Sequence, residues 1–279
     1  VIDQRAMARR LGRMEDHLDG LRRLAVDEFA LEKGHQYVTA VLDVDTKRIV
    51  WLCRGRGLDA LGGFFTALGP ARCAQLTAVT LDMWAAYTSQ VKHFAPQAAL
   101  VYDPFHVLAR YHDVVVDRVR VDETNKIARS DLTQPAVTAA RRVIKGTKWL
   151  LLKNASNLRD DEHVRLDELL RANRALATVY ILKEDLKQLW QYRAPHAARR
   201  FLTHWVRRAR ASRLAPLQQF VRLVLRHAEG LISHATHPLS TGVLEGINNK
   251  IKVLKRVAYG YRDDAYFFLK IRAAFPGIP

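Results

Sequence analysis

Three acidic residues lie far apart in this chain, each beside apolar sequence that ought to position it. Asp27 sits inside Leu24-Ala25-Val26-Asp27-Glu28-Phe29-Ala30-Leu31, a run that reads as a strand. Asp82 directly follows the strand-like Leu76-Thr77-Ala78-Val79-Thr80-Leu81. Glu245 heads a helix-like stretch from Gly242 to Arg256. A charge inside an apolar strand is costly unless it is paired or bound to a metal. Three carboxylates meeting at one pocket would suit hard divalent cations such as Mg²⁺, which take oxygen ligands. Two such ions roughly 4 Å apart activate one oxygen and stabilise another in an in-line phosphoryl displacement.

The stretch carrying Glu245 separates into faces at about 100° per residue. Leu244, Ile247, Ile251 and Leu254 form one face and are expected to enter a core. Glu245, Asn249, Lys252 and Arg256 form another, and Lys250 and Lys255 add charge nearby. An acid at the head of a basic ridge suits both a metal ion and a phosphate backbone. The whole chain points to the same kind of partner. Its 279 residues carry 45 Lys and Arg against 28 Asp and Glu, a net charge of +17, which favours a polyanion such as nucleic acid. A second basic track is expected over Arg199, Arg200, Arg207, Arg208, Arg210 and Arg213, where a solvated charged surface is the plain alternative.

The positioning elements follow from pattern. Strands are expected at 24–31, 37–42, 48–53, 76–81 and 98–101, and helices at 58–68 and 83–94. The order is β-β-β-α-β-α-β, opening with an antiparallel meander turned by Asp43 and Asp45. In a mixed sheet the first and fourth strands can be neighbours, which would bring Asp27 to Asp82. From Pro104 onward strand signals end, and long helices are expected at 166–192 and 197–234, interrupted at Pro195 and Pro216. Asp103 before Pro104 reads as a helix N-cap, and Asp82 is equally suited to that role.

No apolar run spans a bilayer, and the charged start Val1-Ile2-Asp3-Gln4-Arg5 lacks the apolar core of a signal peptide. Cys53 and Cys73 form no close pair, which argues against a zinc finger or a disulfide framework. A cytoplasmic, nucleoid-associated protein is therefore expected, with no membrane and no small-molecule substrate.

The text resembles the DDE transposases of bacterial insertion sequences in the ISL-three group. The resemblance rests on Val26-Asp27-Glu28-Phe29-Ala30-Leu31-Glu32-Lys33-Gly34-His35, Asp82-Met83-Trp84-Ala85-Ala86-Tyr87, Tyr102-Asp103-Pro104-Phe105-His106-Val107, Tyr192-Arg193 and Leu244-Glu245-Gly246-Ile247-Asn248-Asn249-Lys250-Ile251-Lys252, in that order. It implies an α/β fold: an RNase H-like mixed five-stranded sheet with a large all-helical insertion before the last catalytic helix. It implies Asp27, Asp82 and Glu245 as catalytic metal ligands, two Mg²⁺ or Mn²⁺ ions, and strand cleavage and transfer on double-stranded DNA. Asn249, Lys250, Lys252, Lys255 and Arg256 are the expected DNA contacts, with Asp103 and His106 as accessory residues. A homodimer or larger assembly on DNA is expected.

The expected division is 1–20, a basic helical remnant of an upstream DNA-binding region; 21–122, the first part of the core; 123–238, the helical insertion; and 239–279, the part carrying Glu245. The family's upstream zinc-binding and helix-turn-helix region has no counterpart in this sequence. Two other readings share these residues: an RNase H-like nuclease that cuts without joining, and an inactive truncated DNA-binding remnant.

Overall fold

A computed structural model describes residues 2–32, 36–131, 133–153, 155–239, 242–258, 261 and 263–278. For residues 2, 32, 155 and 242–245 it describes the backbone only. The chain divides into two compact units, residues 1–104 with 229–279, and Phe105–Ala228.

The first unit is built on a sheet. Helix α1 (Ile2–Leu11) precedes β1 (Arg23–Glu32), β2 (Gln36–Asp43) and β3 (Arg48–Arg54). β-Branched and aromatic residues are enriched in β2 and β3, as a pleated, half-buried surface favours. β1 to β3 form the antiparallel meander. Its second turn is held by Asp43, whose carboxylate accepts the Thr46 hydroxyl at 2.6 Å and the Asp45 N–H at 3.1 Å. Helix α2 (Leu58–Leu68) stops at Gly69, where a φ of 78° turns the chain into the short α3 (Pro70–Cys73). Strand β4 (Ala78–Leu81), helix α4 (Ala85–Phe94) and strand β5 (Ala99–Tyr102) follow. The sheet order is β3-β2-β1-β4-β5, with β4 parallel to β1 and β5 parallel to β4. This mixed five-stranded α/β sheet is the arrangement expected of an RNase H-like core.

The second unit is helical. It contains α5 (Pro104–Tyr111), a π turn (His112–Val116), α6 (Asp117–Ala128), α7 (Gln134–Gly146), α8 (Lys148–Leu152), α9 (Asp160–Ala172), α10 (Arg174–Lys187), α11 (Pro195–Ala211) and α12 (Ala215–Arg226). Tyr111, Trp205 and Phe220 meet edge-on in its core. The Trp205 indole donates to the Leu182 carbonyl at 2.9 Å, and the Tyr111 hydroxyl to the Val179 carbonyl at 2.7 Å. Lys183 is fully buried and donates to the Leu151 and Lys153 carbonyls at 2.6 and 3.1 Å, with the Glu184 carboxylate at 2.9 Å.

The helix expected over 166–192 is split at Asn173, whose side chain caps α10 by accepting the Leu176 N–H at 2.9 Å. Pro195 and Pro216 open α11 and α12 rather than interrupt them, because an N-terminal turn needs no N–H at that position. The expected insertion limits, 123 and 238, fall within α6 and beyond the helical unit. No break separates α5 from α6, since the π turn continues the helix between them.

The chain returns to the first unit with α13 (Ala228–Ile232), α14 (Gly242–Val257) and α15 (Asp264–Ala274). The helix carrying Glu245 is therefore not the last. α15 starts at an Asp263 side chain that accepts the N–H groups of Ala265 and Tyr266. It packs with α14 on one face of the sheet, where Ala25, Phe29, Ile247, Ile251, Phe267 and Ile271 share a core. α15 also ties down the N-terminal segment. Its Arg272 guanidinium donates to the carbonyls of Leu11, Gly12 and Arg13. No described helix is long and apolar enough to cross a membrane.

α13 approaches β5 through a glycine. A Cβ on Gly230 would lie 2.4 Å from the Tyr102 ring, which is buried at the strand end. Alanine would add about 1 kcal/mol of helix propensity, but forcing a methyl into that contact costs about 1–3 kcal/mol or more. Gly230→Ala is thus expected to lower the melting temperature by several degrees, as thermal unfolding would show. An unchanged or higher value would mean that the ring has room to move.

Candidate active site

Strand register sets the first two acids side by side. β1 pairs with β4 as Arg23↔Ala78, Leu24↔Val79 and Ala25↔Thr80. The same offset carries Asp27 opposite Asp82, one step past the end of β4. β4 pairs with β5 up to Leu81↔Tyr102, and the Asp103 N–H donates to the Leu81 carbonyl at 3.2 Å. That offset in turn carries Asp82 beside Asp103. Continued past the last paired residues, the two offsets would put the three acids at one level, just beyond the carboxyl ends of β4 and β5, where open α/β sheets place their ligands.

Their surroundings differ. Asp82 is exposed and Asp27 half-buried, while Asp103 is 2% exposed. Asp82 accepts its neighbour's N–H, from Met83, at 2.6 Å. It does not cap α4, whose N-cap position is Trp84. Asp27 accepts the Glu28 N–H at 2.7 Å through one oxygen. Its other oxygen accepts the Asn248 side-chain amide at 2.5 Å.

Asn248 belongs to α14, and its bond joins that helix to β1. Ile247 and Ile251 are buried against the sheet, and Leu254 is partly buried there, as the apolar face predicted. Glu245 stands one turn before Asn248 in the same helix. Its side chain, and that of Leu244, lie outside the described residues. Among the described residues no group of three or more His, Cys, Asp or Glu side chains forms a metal cage. Of the expected DNA contacts, Asn249, Lys250, Lys252 and Arg256 are exposed and Lys255 is half-buried. Lys250 is also tied to α15, donating to the Ala274 carbonyl at 3.0 Å and lying 4.9 Å over the Phe275 ring. His106 is half-buried in the helical unit, edge-on to Phe105.

Of the groups near the acids, the sequence points to Glu28 as part of a charged pair and to Trp84 and Tyr87 as core aromatics, one of them stacking near the site; it gives no sign of Thr39 or Arg56. Glu28 alternates to the opposite face of the sheet from Asp27, and there the Tyr87 hydroxyl of α4 favours its charged form. Burial raises the Glu28 carboxyl above its ordinary range, the Tyr87 hydroxyl and the Arg56 charge oppose this, and the charges of Asp27 and Asp82 add to it. Burial likewise pushes the Tyr87 phenol far up, and Glu28 adds to it. The Tyr87 hydroxyl also lies 2.8 Å from that of Thr39, which bonds the Gly55 carbonyl at 2.9 Å. Arg56 sits 4.3 Å over the Tyr37 ring and 5.7 Å from the Trp84 ring. This network fixes β1, β2 and α4 behind the acids. A half-buried acid beside Asp27 was visible in the sequence; its partner on α4 required the fold.

Comparison with known proteins gives consistent matches. A transposase family model, of the DDE ISL3 type, matches residues 24–271. A transposase for insertion sequence element IS1001 from Bordetella parapertussis is 48% identical over 254 residues, covering 91% of this chain and 61% of the relative. A transposase for insertion sequence element IS1557 from Mycobacterium tuberculosis is 31% identical over 261 residues, covering 88% of this chain and 58% of the relative. The chain therefore spans about three fifths of the length of the curated relatives it matches.

Proposed function

This chain belongs to the ISL3 family of DDE transposases, and from that premise we propose that it carries the metal-dependent chemistry by which such a protein cuts and joins DNA at insertion-sequence ends. What supports this reading is the parallel pairing of β1 with β4, whose last pair, Ala25 with Thr80, lies two residues before each acid, together with the Asn248 bond that ties the Glu245 helix to Asp27.

The donor set suits Mg²⁺ or Mn²⁺. Asp27 and Asp82 offer carboxylate oxygens with solvent access, and Glu245 is the third ligand of the proposal. Two ions bound there would supply Lewis acidity to the phosphate and lower the pKa of a water molecule. Asn248 holds the Asp27 carboxylate in place. Asn249, Lys252 and Arg256, with Lys250 and Lys255 beside them, hold the phosphate backbone and give little sequence readout. Water attacks the phosphodiester at the element end and frees a 3′-hydroxyl. That hydroxyl then attacks a target phosphodiester, displacing a 3′-oxygen and forming the joined strand. Both steps are direct displacements, so no Ser or Tyr nucleophile is required. Asp103 and His106 act as accessory groups, and a homodimer or larger assembly brings two ends together.

The test is a joining assay. The chain is incubated with a pre-cleaved duplex end bearing a 3′-hydroxyl, a target plasmid and Mg²⁺. End-to-target products that vanish with chelator support the proposal. Cutting without joining would identify a nuclease, and binding alone an inactive remnant; either result overturns it.

A further inference from the structure

Four threonines among the described residues are buried, and three of them give their hydroxyl a partner. Thr39 bonds the Gly55 carbonyl and the Tyr87 hydroxyl, Thr124 the Arg120 carbonyl, and Thr147 the Ile144 carbonyl. Thr80 is 1% exposed, and its Oγ1 is buried without a hydrogen-bond partner. The cause is its place in β4. Thr80 lies in register with Ala25 of β1 and Val101 of β5, so both lateral neighbours are apolar. A valine would suit that position and leave no polar atom unpaired, whereas an orphaned buried hydroxyl destabilises the fold.

The same register says which side of the sheet this residue serves. Residues paired in register across parallel strands share a face, and every second residue of a strand returns to it. Thr80 therefore shares the face of Ala25 and Asp27, on which Asn248 bonds Asp27. The alternation, carried one residue past β4, brings Asp82 to that face as well. Thr80 and Asp82 are about 6.6 Å apart along the strand, at about 3.3 Å per residue. A threonine oxygen and an aspartate oxygen bridge such a span directly or through one water. We propose that Thr80 is a positioning residue of the carboxylate site. Its hydroxyl gains a partner when a divalent ion draws the Asp82 carboxylate inward, and by donating to that carboxylate it keeps the side chain turned to the ion. The unpaired hydroxyl then weakens the unloaded fold and is satisfied on loading. The inference rests on Asp27 and Asp82 being ion ligands, but its readout is affinity for the ion in the absence of DNA.

The test titrates Mn²⁺ into the full chain and follows the loss of the free-ion electron paramagnetic resonance signal, with thermal unfolding of the metal-free chain alongside. Thr80→Val is expected to melt at the parental temperature or above it, because the unpaired hydroxyl is gone. It should nonetheless bind Mn²⁺ about tenfold more weakly or worse, the usual loss when a group that orients a metal ligand is removed. Thr80→Ser keeps the hydroxyl and should recover most of the parental affinity. Asp27→Asn should abolish binding. Parental affinity in Thr80→Val, or a Thr80→Ser variant as weak as Thr80→Val, overturns the inference and leaves the carboxylate site standing where Asp27→Asn still abolishes binding. A Thr80→Val chain that loses affinity and also melts lower has a packing defect, which likewise overturns it. Mn²⁺ affinity indifferent to Asp27→Asn would remove the carboxylate site itself, and the inference with it.

Discussion

Asp27→Asn is expected to lower Mg²⁺-dependent strand transfer about a thousandfold or more, which corresponds to about 4 kcal/mol of transition-state stabilisation. The substitution keeps shape but leaves one carbonyl oxygen where Asp27 uses two, so of the Glu28 N–H and the Asn248 amide one keeps its acceptor. What is removed is the negative charge that a hard cation requires. Asp82→Asn should behave alike. Asp82 is exposed and accepts the adjacent Met83 N–H, which an amide oxygen can also do. Asp82→Asn should move folding stability by no more than about 0.5 kcal/mol, while Asp27→Asn should lower it by about 1 kcal/mol for the acceptor it loses. Duplex affinity should hold or rise, because a like charge near phosphate is lost. The measurement is single-turnover joining of a pre-cleaved end, with anisotropy for binding and thermal unfolding as companions. Joining at the parental rate by the Asp27→Asn chain would remove Asp27 from the catalytic set.

The sheet was readable from sequence because its strands carry dense β-branched and apolar residues between clear turn signals. Asp27 stands out in the sequence because an acid inside such a run needs a partner, whereas Asp82 reads equally as a helix N-cap, a position that Trp84 takes. Their alignment was not readable, since it depends on the pairing of Ala25 with Thr80, which no local pattern encodes. Asp103 was read as a helix N-cap, and its place beside Asp82 comes from the β4–β5 register. α15 escaped because Asp264-Ala265-Tyr266-Phe267-Phe268 clusters its aromatics instead of spacing them on one stripe, although Asp263 is a proper N-cap. The Thr39–Tyr87 bond joins β2 to α4 across the sheet face, a tertiary contact with no signature in either segment alone.

Asn248 is the residue whose role the sequence did contain. It stands four positions after Leu244 and four before Lys252, at the edge where the apolar stripe of α14 meets the basic ridge. A polar amide at that edge needs a hydrogen-bond partner, and Asp27 is that partner at 2.5 Å. A hydrogen bond to a charged group contributes about 1.5–3 kcal/mol, and loss of a partner that orients a metal ligand costs about ten- to hundredfold in metal affinity or activity. Asn248→Ala is therefore expected to cut joining by up to about a hundredfold at limiting Mg²⁺ and less at saturation, because Asp27 remains but is no longer held. The magnesium concentration for half-maximal rate should rise, while the salt dependence of duplex binding stays put. A purely structural role would lower the melting temperature and leave the magnesium profile unshifted. An unshifted profile in a stably folded variant would mean that the strand alone orients Asp27 and that the helix reaches the site by another contact.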